Sequence, residues 1–211
     1  MIVKMAIVAV IGYLLGNFQT GVVISKALGK FDVRHRGSKS AGTTNVLRTM
    51  GWAPSLLTLL GDVLKGVLAA LIGLWLGGIW GARLGGLCAI LGHNWPALFR
   101  FKGGKGIATS LGLVLVLDPL IGVALVVCQV IVLKFTHTMS IASIASASLF
   151  SLLTVLFHWG DWAAIGFSLL ITALALFSHR TNIHRLKHKS ENKLDFKEID
   201  RISHTDKSMK K

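Results

Sequence analysis

Acidic residues are scarce in this sequence. The 211 residues hold 9 Asp and Glu against 23 Lys and Arg, a formal net charge of +14. Ahead of Arg180 the only acids are Asp32, Asp62, Asp118 and Asp161, which are too scattered for a paired-carboxylate site or an oxygen-rich metal cage. Cysteine is rarer still. Cys88 and Cys128 both fall in apolar runs and read as small buried hydrophobes, which excludes a disulfide framework. No spaced set of His and Cys exists, so no metal and no cofactor are implied. Lys105 is followed by Gly106 rather than Ser or Thr, so there is no Walker loop and a nucleotide-using enzyme is excluded.

Apolar residues are what the chain has in plenty. They make up 53% of it, in long unbroken runs, and the mean hydropathy is +0.65. A membrane span needs roughly 20 apolar residues. The pattern predicts an all-α integral membrane protein with about seven transmembrane helices, at residues 2–27, 53–80, 84–99, 107–117, 120–135, 141–157 and 162–177. The first run is too long for a secretory signal and lacks a small-residue cleavage site, so it reads as a span. Gly12-x-x-x-Gly16 within it suits close helix packing. Asp62 and Lys65 interrupt the second span three residues apart, on one helix face, where they can pair. Trp80, Trp159 and Trp162 stand at span ends, as interfacial aromatics do.

Seven spans put the two ends on opposite sides. With the basic tail cytoplasmic, the N-terminus is outside, and the cationic stretches 30–48 and 100–105 both fall inside, as the positive-inside rule asks. Residues 1–186 then form a single polytopic domain. Residues 187–211 form a basic cytoplasmic tail, expected to be solvated and partly disordered. Because the charge lies in loops between spans, the partners are the lipid bilayer and anionic substrates, not nucleic acid.

The organising stretch is 91–109. Lys102-Gly103-Gly104-Lys105-Gly106 is a glycine loop bracketed by lysines, which suits a phosphate because successive backbone N–H groups can turn to one point. A positively charged inside loop with turn glycines is the plainer alternative. His93-Asn94-Trp95 ahead of it, and two further basic polar stretches, argue for an anion site. The first of these, 29–52, supplies Ser38, Asn45 and Arg48, with Thr44 and Arg48 on one face of a helical turn. The second opens at His179, which shares a helix face with Asn182. His93 itself reads as a residue that orients the loop.

These three stretches resemble the motifs of the acylphosphate-dependent glycerol-3-phosphate acyltransferases of bacterial membranes, the PlsY family. The motifs are Gly37-Ser38…Gly42-x-Thr44-Asn45-Val46-Leu47-Arg48, then Gly92-His93-Asn94-Trp95-Pro96…Phe101-Lys102-Gly103-Gly104-Lys105-Gly106, then His179-Arg180-x-Asn182-Ile183-x-Arg185-Leu186. The resemblance implies transfer of a fatty acyl group from acyl phosphate to the first hydroxyl of glycerol 3-phosphate, giving lysophosphatidate, in the inner membrane with the site facing the cytoplasm. It implies His179 and Asn182 as catalytic residues. Ser38, Asn45, Arg48, Lys102, Gly103, Gly104, Lys105 and Ser143 would bind substrate. The chain departs from the family pattern at Lys39 and Ser40, at Asn17-x-Gln19, and at His137, where the family has Arg.

None of the 8 His has an Asp five residues on, so the His-x-x-x-x-Asp dyad of other acyltransferases is missing. Either His179 is the base, or the donor's own phosphate takes the proton while His179 and Asn182 grip the glycerol; the activated donor favours the second. A transporter or channel for a phosphorylated anion is the rival reading. It is weakened by the gathering of polar groups on one side and by the lack of an inverted repeat.

Overall fold

The computed structural model describes residues 1–208, and its described elements are helical. In chain order they are α1 Ile2–Asn17, α2 Thr20–Gly29, α3 Thr43–Met50, α4 Trp52–Asn94, α5 Ile107–Leu117, α6 Pro119–Thr136, α7 Met139–Phe157, α8 Trp162–Ser178, α9 Arg180–Lys187 and α10 Phe196–Ser208. Four helical stretches among them are long and apolar enough to cross a membrane, or five if α8 and α9, bent by 61° at their junction, are taken together.

The long α4 is a hairpin. Gly78 has φ 61° and ψ −153°, which a side chain could not adopt without strain, and there the helix doubles back. A Cβ on Gly73 would collide with the carbonyl of Gly81, and one on Gly85 with that of Ala69, so the two arms lie in near contact along their glycines. The sequence put this turn a few residues later. The two arms pack with the other apolar helices, α1, α5, α6, α7 and α8. Helix α5 is short: 11 residues rise about 17 Å, roughly half the hydrocarbon thickness.

The first predicted span, 2–27, is broken. At Phe18 the backbone turns extended (φ −66°, ψ 106°), separating α1 from α2. The carbonyls freed by the break need partners in an apolar surrounding. The side chain of Gln19 donates to Gly16 O (3.2 Å), and Lys65 Nζ donates to Phe18 O (2.8 Å). The third predicted span also ends early. Pro96 cannot continue α4, so the helix stops at Asn94 rather than running to residue 99.

The bundle is built with small and polar residues inside and large apolar ones outside. On the first arm of α4, Thr58, Asp62, Lys65, Gly66, Ala69 and Ala70 are buried, while Leu56, Leu60, Leu64, Leu71 and Trp75 are exposed. That is the arrangement expected where lipid is the solvent. A central cluster of Leu113, Val114, Ile121, Phe150 and Ile171 ties the later helices to the hairpin.

The segment after α9 is not a loose tail. Leu194 N donates to His137 O at 2.7 Å, Leu194 and Ile199 are buried against Leu47, and the Phe196 ring stacks on Trp52. A few apolar side chains spaced among charges were enough to dock it, and composition alone hid them. Of the expected tail, residues 209–211 lie outside the described residues.

Candidate active site

Residues from all three polar stretches picked from the sequence come together. There they surround a cavity of about 330 Å³. Ser38, Ser40, Thr44, Asn45 and Arg48 line one wall, Lys105 to Ala108 another, and Ser140, Ser143, His179, Asn182, Arg185 and Glu191 the rest. The cavity runs on into an apolar slot between Leu59, Val114, Leu125, Val130, Phe150 and Ile171.

Two loops are stitched together to form the mouth. Arg34 pairs with Asp32 (2.7 Å) and donates to Phe99 O (2.9 Å), and Ala41 N donates to Gly103 O (3.3 Å). Asn45 holds the first loop from within. Its side-chain amide donates to Val33 O, Arg36 O and Ser40 O, and its oxygen accepts from Ser38 N at 2.8 Å. Asn45, expected to bind substrate, lines the cavity, and its hydrogen bonds shape the loop that presents Ser38.

The glycine loop also differs in detail from expectation. Gly104 N donates to His93 O (3.1 Å), so this N–H is not free for an anion. Gly103 and Gly104 are seated on His93, where a Cβ on either would collide. Lys102 is exposed and does not line the cavity. The backbone donors that do reach it lie one step on. Gly106 (φ 83°) turns the chain into α5, whose first N–H groups carry no side-chain cap. A helix start of this kind is a ready anion site.

Cationic and polar side chains meet beside that helix start. Lys105 Nζ donates to Asn182 Oδ1 at 2.5 Å. Asn182 Nδ2 donates to Glu191 Oε1 at 2.6 Å, Ser140 Oγ donates to the same oxygen at 3.1 Å, and Arg185 Nε donates to Glu191 Oε2 at 2.7 Å. Arg48 reaches Asn192 O through Nη2, while its Nε is buried with no partner among the described residues. Burial lowers the Lys105 ammonium to about 8; Glu191 opposes the shift, and Arg185 and Arg48 add to it. Burial pushes the Glu191 carboxyl up, but the hydrogen bonds from Arg185, Asn182 and Ser140 outweigh it, so its pKa lies below the usual range.

His179 caps α8 and is buried. Its Nδ1 lies 2.8 Å from Ala175 O. A carbonyl only accepts, so Nδ1 carries the proton and Nε2 keeps a lone pair at the cavity wall. Ser143 is buried and lines the cavity beside Gln129 (3.5 Å). His137 lies outside the lining; its carbonyl and ring dock the C-terminal segment instead. Sequence reasoning missed Glu191. Its one signal was an acid set among basic residues just past Arg185, and that was taken as solvated charge.

The comparisons agree with this geometry. A family model described as Glycerol-3-phosphate acyltransferase matches residues 6–189. The chain is similar to glycerol-3-phosphate acyltransferases of Thermoanaerobacter pseudethanolicus (42% identity, 88% of this chain and 93% of the relative) and Clostridioides difficile (38%, 89% and 94%). It is also similar to crystal structures of PlsY (YgiH), an integral membrane glycerol 3-phosphate acyltransferase. The glycerol 3-phosphate form gives a TM-score of 0.86 at 33% identity, covering 92% of this chain and 98% of that one. The lysophosphatidic acid form gives 0.82 at the same identity, covering 92% and 97%.

Proposed function

Since the chain belongs to the glycerol-3-phosphate acyltransferase family, we propose that its acyl donor is an acyl phosphate and that the cavity is where the two phosphates meet. The protein is a multi-pass membrane acyltransferase that converts glycerol 3-phosphate to lysophosphatidate in phospholipid biosynthesis.

One observation carries the reading: a cationic mouth continuous with an apolar slot. The slot suits the fatty chain of the donor, and the mouth suits charged heads. Arg48, Lys105, Ser38 and the start of α5 hold and neutralise phosphate. His179 and Asn182 grip the glycerol. The His179 Nε2 lone pair accepts from the second hydroxyl, which leaves the proton of the first facing the donor phosphate, and Asn182, anchored by Lys105 and Glu191, orients the glycerol. The oxygen of the first hydroxyl attacks the acyl carbonyl carbon, and the carbon–oxygen bond to the donor phosphate breaks. Inorganic phosphate leaves with that electron pair and takes up the hydroxyl proton. The enzyme then supplies placement and charge, a large source of rate in itself.

The site is at the cytoplasmic face of the bacterial inner membrane, with the N-terminus outside, because the cationic loops gather at that end. The polar lining stops short of the other end, where Asp118 pairs with His158 (2.8 Å) and Arg83 with Asp161 (3.6 Å), which speaks against a transport path. The test is release of inorganic phosphate from palmitoyl phosphate by detergent-solubilised protein. Release that depends on glycerol 3-phosphate is expected. Acyl transfer from a thioester donor with none from acyl phosphate would overturn the donor assignment.

A further inference from the structure

Lys65 sits in the bundle with three acceptors close around its ammonium: His93 Nδ1 at 2.7 Å, Asp62 Oδ1 at 2.8 Å and Phe18 O at 2.8 Å. An ammonium has three protons and no lone pair. The Nδ1 of His93 therefore accepts, and the ring proton of the neutral imidazole is on Nε2. His93 is 3% exposed and lines the cavity. Among the described residues its Nε2 meets no hydrogen-bond partner. Nε2 is not among the fully enclosed atoms left without a partner, so this donor keeps access to the space beside it, on a residue that lines the cavity, and can meet a ligand there.

The place of that donor is set by the glycine loop. His93 O holds Gly104 N, and a Cβ on Gly104 would collide with Nε2, so the ring lies directly against the loop. Asp62 also borders the cavity, but its carboxylate is engaged by Lys65 and by Thr20 Oγ1 (3.1 Å), so the pair presents no net charge to an incoming anion.

We propose that His93 is a further substrate-binding residue, donating through Nε2–H to a phosphate held in the cavity beside the start of α5, with Lys65 as the positioning residue that fixes the donor tautomer. The proposal rests on the functional reading above, in which both substrates carry phosphate. It excludes His93 as a base: one ring nitrogen is filled by Lys65 and the other already carries its proton.

Two substitutions separate binding from support. His93→Asn keeps an acceptor where Lys65 needs one and removes the donor. His93→Gln carries an amide N–H to the position of Nε2. His93→Asn is expected to raise KM for one phosphate substrate about tenfold or more, the scale of a charge-assisted hydrogen bond, with kcat little changed. The substrate affected, glycerol 3-phosphate or acyl phosphate, identifies the phosphate concerned. His93→Gln is expected to recover most of that loss. Unchanged KM for both substrates in His93→Asn, or equal impairment in both variants, overturns the proposal. Should His93→Asn fail to fold, wild-type protein with 15N-labelled histidine decides. The His93 signal, assigned through Lys65, must show a proton on Nε2 and must move on adding glycerol 3-phosphate or inorganic phosphate; otherwise the proposal falls. Failure of the functional reading looks different, since wild-type protein would then release no phosphate from acyl phosphate.

Discussion

Lys105 is the residue whose chemistry is easiest to read from outside. Its ammonium is charged below about pH 8 and neutral above it. In the proposed function this charge holds phosphate, and that hold is lost as pH rises through about 8. The expected result is a fall in kcat/KM for glycerol 3-phosphate above about pH 8, carried by KM, in a pH profile of the purified enzyme; kcat moves less because a bound phosphate keeps the lysine protonated. His179→Gln tests the other side of the site. Retention of most of kcat with a raised KM is expected. A drop of about a thousandfold, the scale of a lost general base, would make His179 the base. Such residues were legible in the sequence because a His, an Arg or a Lys has few reasons to interrupt an apolar chain. Glu191 and the loop-holding bonds of Asn45 were not foreseen, because residue type does not reveal whether a polar group faces a ligand or its own protein.

Elements carry their own expectations. α1 packs on the returning arm of α4 through glycines, and a Cβ on Gly16 would collide with the carbonyl of Ala89. Backbone cannot give way as a side chain can, so Gly16→Ala should cost about 1–3 kcal/mol, seen as a lower unfolding temperature in detergent. The C-terminal segment makes a second case. Removing residues 190–211 takes Glu191 from Arg185 and Asn182 and the docking of Leu194 from His137. The helical bundle should survive, while KM for glycerol 3-phosphate rises about tenfold or more, since a hydrogen bond to a charged group is lost beside the site. The spans themselves were visible as apolar runs. The break at Phe18 and the turn at Gly78 were not, since both depend on which neighbouring helix offers a partner or a groove.

At the scale of the whole molecule, the gathering of the polar stretches around one cavity was readable because cationic loops alternate with apolar runs. The shape of the cavity was not, because it arises from contacts between residues as distant in sequence as Arg48 and Asn192. The orientation has a direct check. In protein with Cys88→Ala and Cys128→Ala, a membrane-impermeant maleimide should reach Lys39→Cys and Lys193→Cys from one side of the membrane and Gly160→Cys from the other. Labelling of Lys39→Cys and Lys193→Cys from opposite sides would break the single-ended site.

Asp118 is joined to His158 by a hydrogen bond and Arg83 to Asp161 by an ion pair, and none of these four residues lines the cavity. With the site at one face, as proposed above, synthesis is one-sided: each new lipid is born into a single leaflet. A bilayer fed this way gains area on one face alone, so the opposite face grows only as fast as molecules are carried across to it.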